Sequence, residues 1–178
     1  ISQRSAPALV QSLRVVSRGE RVTAAAFLIG TVSIIVGGSD GSVSQWFLVR
    51  DADNNHKLTR IRDFAAHAAE VTVIAPEHSR KGFATGDASG NVAIHYATSD
   101  ATVLQERYSD APIRQIAFTP PGRAMLVLDD KGKAGFFGVH NEHPDISWSA
   151  LWGKVWYEGR SGPEYIWQSS SASDEFEP

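Results

Sequence analysis

Two residues raise the question of chemistry first. His67 and Asp87 stand 20 positions apart, and an Asp–His pair can hold an imidazole in place as a general base. A nucleophile in the same constellation would complete a hydrolase. No Ser-His-Asp order, nucleophile elbow or paired-carboxylate arrangement is legible around them. His140, Glu142 and His143 bring two imidazoles and a carboxylate within four residues of one another. Such a set can hold zinc at i, i+4 on a helix or with a third distant ligand. Asn141 and Pro144 instead make it a solvated turn. The glycine-rich Gly37-Gly38-Ser39-Asp40-Gly41-Ser42 could cradle a phosphate, but a P-loop continues into Lys-Ser/Thr and a helix. Val43 to Trp46 reads as a strand, so the glycines are expected to form a hairpin turn. Arg4, Arg14, Arg18, Arg21, Arg114 and Arg123 could line an anion groove; they read as scattered, solvated charge.

Aromatic residues give a different signal. Four of the five tryptophans fall in the last 31 residues, where Trp148, Trp152 and Trp156 recur at i, i+4, i+8 with Tyr157, Tyr165 and Trp167 following. On a helix the first three would share one face. That face suits a membrane interface, a partner, or packing against the rest of the protein. The expected interface residues are therefore Trp148, Trp152, Trp156, Tyr157 and Trp167.

Composition removes several classes. With no cysteine, disulfides, thiolate metal sites and a Cys nucleophile are excluded. A formal net charge of -3 provides no polybasic face, and nucleic acid is not an expected partner. Nothing calls for a cofactor. The apolar runs at Ala24–Ile29 and Val32–Val36 fall far short of the roughly 20 residues that span a bilayer. The chain starts at Ile1 without a leader, and reads as a piece of a longer protein.

The elements that must position these residues come from a repeat. Val22, Val71 and Ile113 open three similar units, and Gly41, Gly90 and Gly132 sit at one place within them. Both landmarks shift by 49 and then by 42 residues, which argues against coincidence. The longer first unit carries its extra residues at Arg50 to His56, expected to be a loop. Each unit reads as strand, turn, strand, glycine turn, strand, with Val43, Val92 and Ala134 in one inward slot. Outer strands are expected at 59–64 and 102–107. Ala8 to Val15 reads as the outer strand of a preceding unit.

Four-stranded units of this length with a glycine hairpin resemble the WD40 β-propeller repeat. His67 lies four residues before Val71, and Trp46 five after Gly41, where that repeat carries its histidine and tryptophan. The aromatic slot continues as His95 and Phe137. The resemblance implies that His67 and Asp87 tie strands together through a buried network with Ser/Thr and Trp. The blade markers are thus Gly41, Trp46, His67, Asp87, Gly90 and Gly132. The expected fold is all-β, a partial propeller of about three blades plus a strand of another. Blades occupy 1–140 (8–64, 65–108, 109–140), a Trp-rich segment 141–168 and an acidic linker 169–178. Propellers typically close with four to eight blades, so this piece is expected to be open, with edges able to pair with a second copy.

Residues 147–159 (Ser-Trp-Ser-Ala-Leu-Trp-Gly-Lys-Val-Trp-Tyr-Glu-Gly) and 163–178, about 30 in all, resemble the segment before the second membrane helix of the permease subunit of phosphate ABC transporters. Long forms of that permease carry a large extracytoplasmic insert between their first two membrane helices. The resemblance implies a non-catalytic periplasmic domain on the inner membrane, a docking or regulatory module for the phosphate-binding protein or other transporter subunits. The competing expectations are a cytosolic WD40-type scaffold and an enzyme or phosphate sensor in the propeller channel.

Overall fold

Period-2 alternation with β-branched and aromatic residues builds strands, and the described residues form eleven of them. The computed structural model describes residues 9–78, 82–99, 101–119 and 124–138; no helix occurs among them. Blade I contains β1 (Val22–Phe27), β2 (Ser33–Gly38), β3 (Val43–Arg50) and β4 (His56–Asp63) in that spatial order. Blade II repeats it with β5 (Val71–Pro76), β6 (Gly82–Asp87), β7 (Asn91–Tyr96) and β8 (Thr102–Arg107). Blade III has β9 (Ile113–Phe118), β10 (Ala124–Asp129) and β11 (Ala134–Gly138). All pairings are antiparallel meanders, so the chain is an all-β partial propeller. The Trp-rich and acidic segments at 141–178, with His140, Glu142, His143, Arg4 and Arg123, lie outside the described residues.

The repeat extends to irregularities. Each first strand breaks register at its second residue, Thr23, Thr72 and Arg114, and a bulge there bends the strand. The Thr23 and Thr72 hydroxyls donate to the carbonyls of Gly37 and Gly86, both at 3.2 Å. Thr72 Oγ1 also lies 2.5 Å from the Ile113 carbonyl of the next blade. The first strands of successive blades run side by side, β1 by β5 and β5 by β9. A Cβ on Gly37 would overlap Val71, and one on Gly86 would overlap Ile113, so glycine sets the closeness of the blades. The core is two inter-blade layers. Ile35, Val43, Phe64, Val71 and Phe83 fill the first, and Val92, Ile94, Ile113, Met125 and Val127 the second.

Two expectations need correction. Leu9 to Val15 is not a strand. Leu9 and Val10 are 85% and 88% exposed, so the alternating pattern there has no face to bury. Instead the Gln11 side chain takes the part of a neighbouring strand: its Oε1 accepts from the Leu58 amide at 2.8 Å and its Nε2 donates to the Leu58 carbonyl at 3.4 Å. The loop expected at Arg50 to His56 is a turn over residues 51–55, with Asp51 Oδ1 accepting from the amides of Asp53 and Asn55; the flanking β3 and β4 run to eight residues each, against six in β7 and β8. Last, Ala134 is exposed although Val43 and Val92 are buried, because those valines face the next blade and no described blade covers that side of blade III.

Candidate functional site

The hairpin turns locate the candidate site. Gly90, at φ 86°, closes the β6–β7 turn, and Asp87 caps it, its Oδ1 accepting from the amides of Ser89 (2.8 Å) and Asn91 (2.9 Å). Asp129 repeats this in blade III with the amides of Lys131 and Lys133. Burial opposes ionisation of Asp129, but the turn amides, Ser109 and Lys133 together hold its carboxyl below the usual range. In blade I the corresponding position is Gly38, and Asp40, two residues later, accepts from Ser42 instead.

The same turns lock successive blades. The Gly41 carbonyl accepts from the His67 amide at 3.0 Å, and the Gly90 carbonyl from the Tyr108 amide at 2.8 Å. A Cβ on Gly41 would strike the carbonyl of His67, and one on Gly90 that of Ser109; Gly132 faces open space. Through this contact the segment after β4 delivers His67 into the layer between blades I and II, where it is 4% exposed.

There a chain of hydrogen bonds crosses blade II. Asp87 Oδ2 lies 3.1 Å from His67 Nδ1, and His67 Nε2 lies 2.7 Å from Thr85 Oγ1. Thr85 Oγ1 is 3.0 Å from His95 Nε2, and His95 Nδ1 is 2.9 Å from Thr102 Oγ1. One assignment of protons satisfies every group. Thr102 donates to His95 Nδ1, His95 Nε2–H to Thr85, Thr85 to His67 Nε2, and His67 Nδ1–H to the Asp87 carboxylate. Both imidazoles are then neutral. Burial pushes His67 below its ordinary pKa, with Asp87 opposing, and takes His95 down to about 3, assisted by repulsion from His67. Phe64, Phe83 and His95 pack ring to ring over the network, with centroids 4.8 to 5.3 Å apart.

This Asp–His–Thr order is that of a hydrolytic triad, but Thr85, Asp87 and His95 are 0% exposed. Substrate cannot reach the hydroxyl. The network's chemistry is to hold β6, β7, β8 and the segment bearing His67 in register.

Of the residues singled out from sequence, His67 and Asp87 meet in this network. Trp46 occupies in blade I the slot that His95 fills in blade II, but its indole donates to Ser44 Oγ at 3.0 Å, and blade I has Val36 where blade II has Thr85. Sequence reading missed Thr85, Thr102 and the polar role of His95. The signal available was a histidine in a slot otherwise filled by Trp46 and Phe137. The glycine-rich loop uses its own amides internally: Gly38 to Ser42, Gly41 to Gly38, Ser42 to Asp40. These three amides are not left to receive a phosphate. Arg14, Arg18 and Arg21 precede β1 whereas Arg114 lies on β9, with blade II between them. Among the described residues no three His, Asp or Glu side chains converge as a metal site, and no helix is long and apolar enough to cross a membrane.

No family model and no curated protein matches this chain. Solved structures do. The computationally designed Ika8 protein superposes with a TM-score of 0.53 at 20% identity, over 66% of this chain and 33% of its own. A chain of a mitotic checkpoint complex gives 0.59 at 14% identity, over 69% and 35%. The computationally designed Ika4 protein gives 0.56 at 19% identity, over 74% of each chain. The chain thus spans about a third of the length of the first two. At these identities the likeness concerns the fold.

Proposed function

We propose that this chain is a non-catalytic docking domain, and that it belongs to the extracytoplasmic insert of a phosphate ABC transporter permease on the inner membrane. The observation supporting a non-catalytic role is the burial of the Asp87–His67–Thr85 network, which commits the triad-like set found among the described residues to holding strands. Function then falls to exposed faces and edges, with the phosphate-binding protein or other permease segments as partners. Placement in the permease rests on the tail resemblance at residues 147–159. The two blade faces left without a described neighbour would also serve for edge-to-edge pairing of two copies.

The coding sequence on both sides of this chain tests the placement. Apolar helices of about 20 residues should flank it; further blades after Pro178 would favour a cytosolic WD40-type scaffold. Calorimetric titration with inorganic phosphate should give no binding heat at millimolar concentration, because the Gly38, Gly41 and Ser42 amides of the glycine-rich loop are bonded within that loop.

A further inference from the structure

The contact between successive blades occurs twice within the chain, and each of its halves recurs uncovered on an outer blade. One half is a knob, the first residue of a first strand. Val71 packs on Gly37 of blade I, and Ile113 on Gly86 of blade II. Both are 0% exposed, whereas Val22, the same residue of blade I, is 48% exposed. The other half is a socket, the face that carries Val43 in blade I and Val92 in blade II, each 1% exposed. In blade III that slot is Ala134, which is exposed, and Leu126 and Leu128 on the same face are half-buried. Gly132 likewise faces open space, where Gly41 and Gly90 abut the segment leading to the next blade.

The socket of blade III has its own register. The glycine under each knob pairs across the ladder with a valine, Gly37 with Val43 and Gly86 with Val92. In blade III the pair is Leu128 with Ala134, so the small residue has crossed from β10 to β11. A knob above Leu128 would meet a side chain where its relatives meet none. Neighbouring strands lie about 4.8 Å apart, and the seat moves by that distance, over Ala134.

We infer that blade I of one copy docks on blade III of a second, with Val22 seated over Ala134, and that two copies close head to tail into one ring. This rests on the pairing of copies named above and gives it a face and a register. The occupant follows from the repeat. A socket of this kind takes a first strand opened by valine or isoleucine, and among the described residues β1 is the first strand whose opening residue is uncovered. Such a contact is heterologous, and it closes a ring when the rotation fits. Three blades from each copy give a ring within the four to eight blades at which propellers close. Closure takes the apolar faces of both outer blades out of water.

The test is analytical ultracentrifugation of the 178-residue chain at about 100 μM, which populates a complex of micromolar Kd. The mass should be twice that of one chain. Val22→Glu and Ala134→Lys, both at exposed positions, should each halve it, with the far-UV circular dichroism unchanged. An equimolar mixture of the two variants should recover the doubled mass. In a heterologous ring the two introduced charges face each other at one junction, and the other junction is unsubstituted. A single-chain mass for the unsubstituted protein would overturn the inference, as would a doubled mass that survives either variant or a mixture that stays single. Species longer than two copies would show open arrays in place of a ring, also against it. None of these results bears on the placement in a permease, which the flanking coding sequence tests separately.

Discussion

His67 Nε2 and Thr85 Oγ1 stand 2.7 Å apart between two blades, and neither side chain reaches solvent. Thr85 is the hinge of the network, accepting from one histidine and donating to the other. Thr85→Val keeps the shape and strands both ring nitrogens. We expect a loss of about 2–4 kcal/mol of stability, measured by urea unfolding. Loss within 0.5 kcal/mol, about the scatter of ordinary surface changes, would mean the network carries no weight.

The same burial makes stability fall in acid. His95 has its folded pKa lowered to about 3 from an ordinary value of 6.5, chiefly by burial, and His67 is lowered in the same direction. The unfolded chain therefore binds more protons below pH 6.5. Their contribution is complete above that pH and is lost as pH falls from 6.5 toward the folded values. The slope should reach about 1.4 kcal/mol per pH unit for His95. His95→Trp, which keeps a donor for Thr85 and cannot titrate, should flatten it, as unfolding curves between pH 7.5 and 5 would reveal.

Gly90 and Gly132 share a positive φ, at 86° and 84°, but differ in surroundings. Gly132→Ala should cost only the backbone term, about 1–2 kcal/mol. Gly90→Ala must in addition push the Ser109 carbonyl away, separating blades II and III, and should lower the melting temperature further. Equal melting temperatures for the two variants would contradict the locking role.

Gln11→Ala removes both bonds to Leu58. Because the site is exposed, the cost should be about 1 kcal/mol or less, and the readout is local: faster amide exchange at Leu58, with the amides of β7 unchanged.

The strands were legible because alternation and the paired 49- and 42-residue offsets constrain each other, and β5, β8 and β9 run where that pattern places them. What alternation could not reveal is whether a face has something to cover. Leu9 to Val15 alternates and forms no strand; Ala134 repeats Val43 and is exposed. Both depend on neighbours beyond the local pattern. In the network, His67 and Asp87 were legible from their places in the repeat. Thr85 was not, since the equivalent Val36 and Val127 make that position look purely apolar, and His95 passed for a degenerate aromatic.

We propose that these blades sit outside the cytoplasm on a membrane transporter. Adding protease to intact spheroplasts and following the domain by antibody in the membrane fraction tests it directly. The domain should sediment with the membrane and be cleaved without lysis. A domain found in the soluble fraction, protected until the cells are lysed, would contradict it.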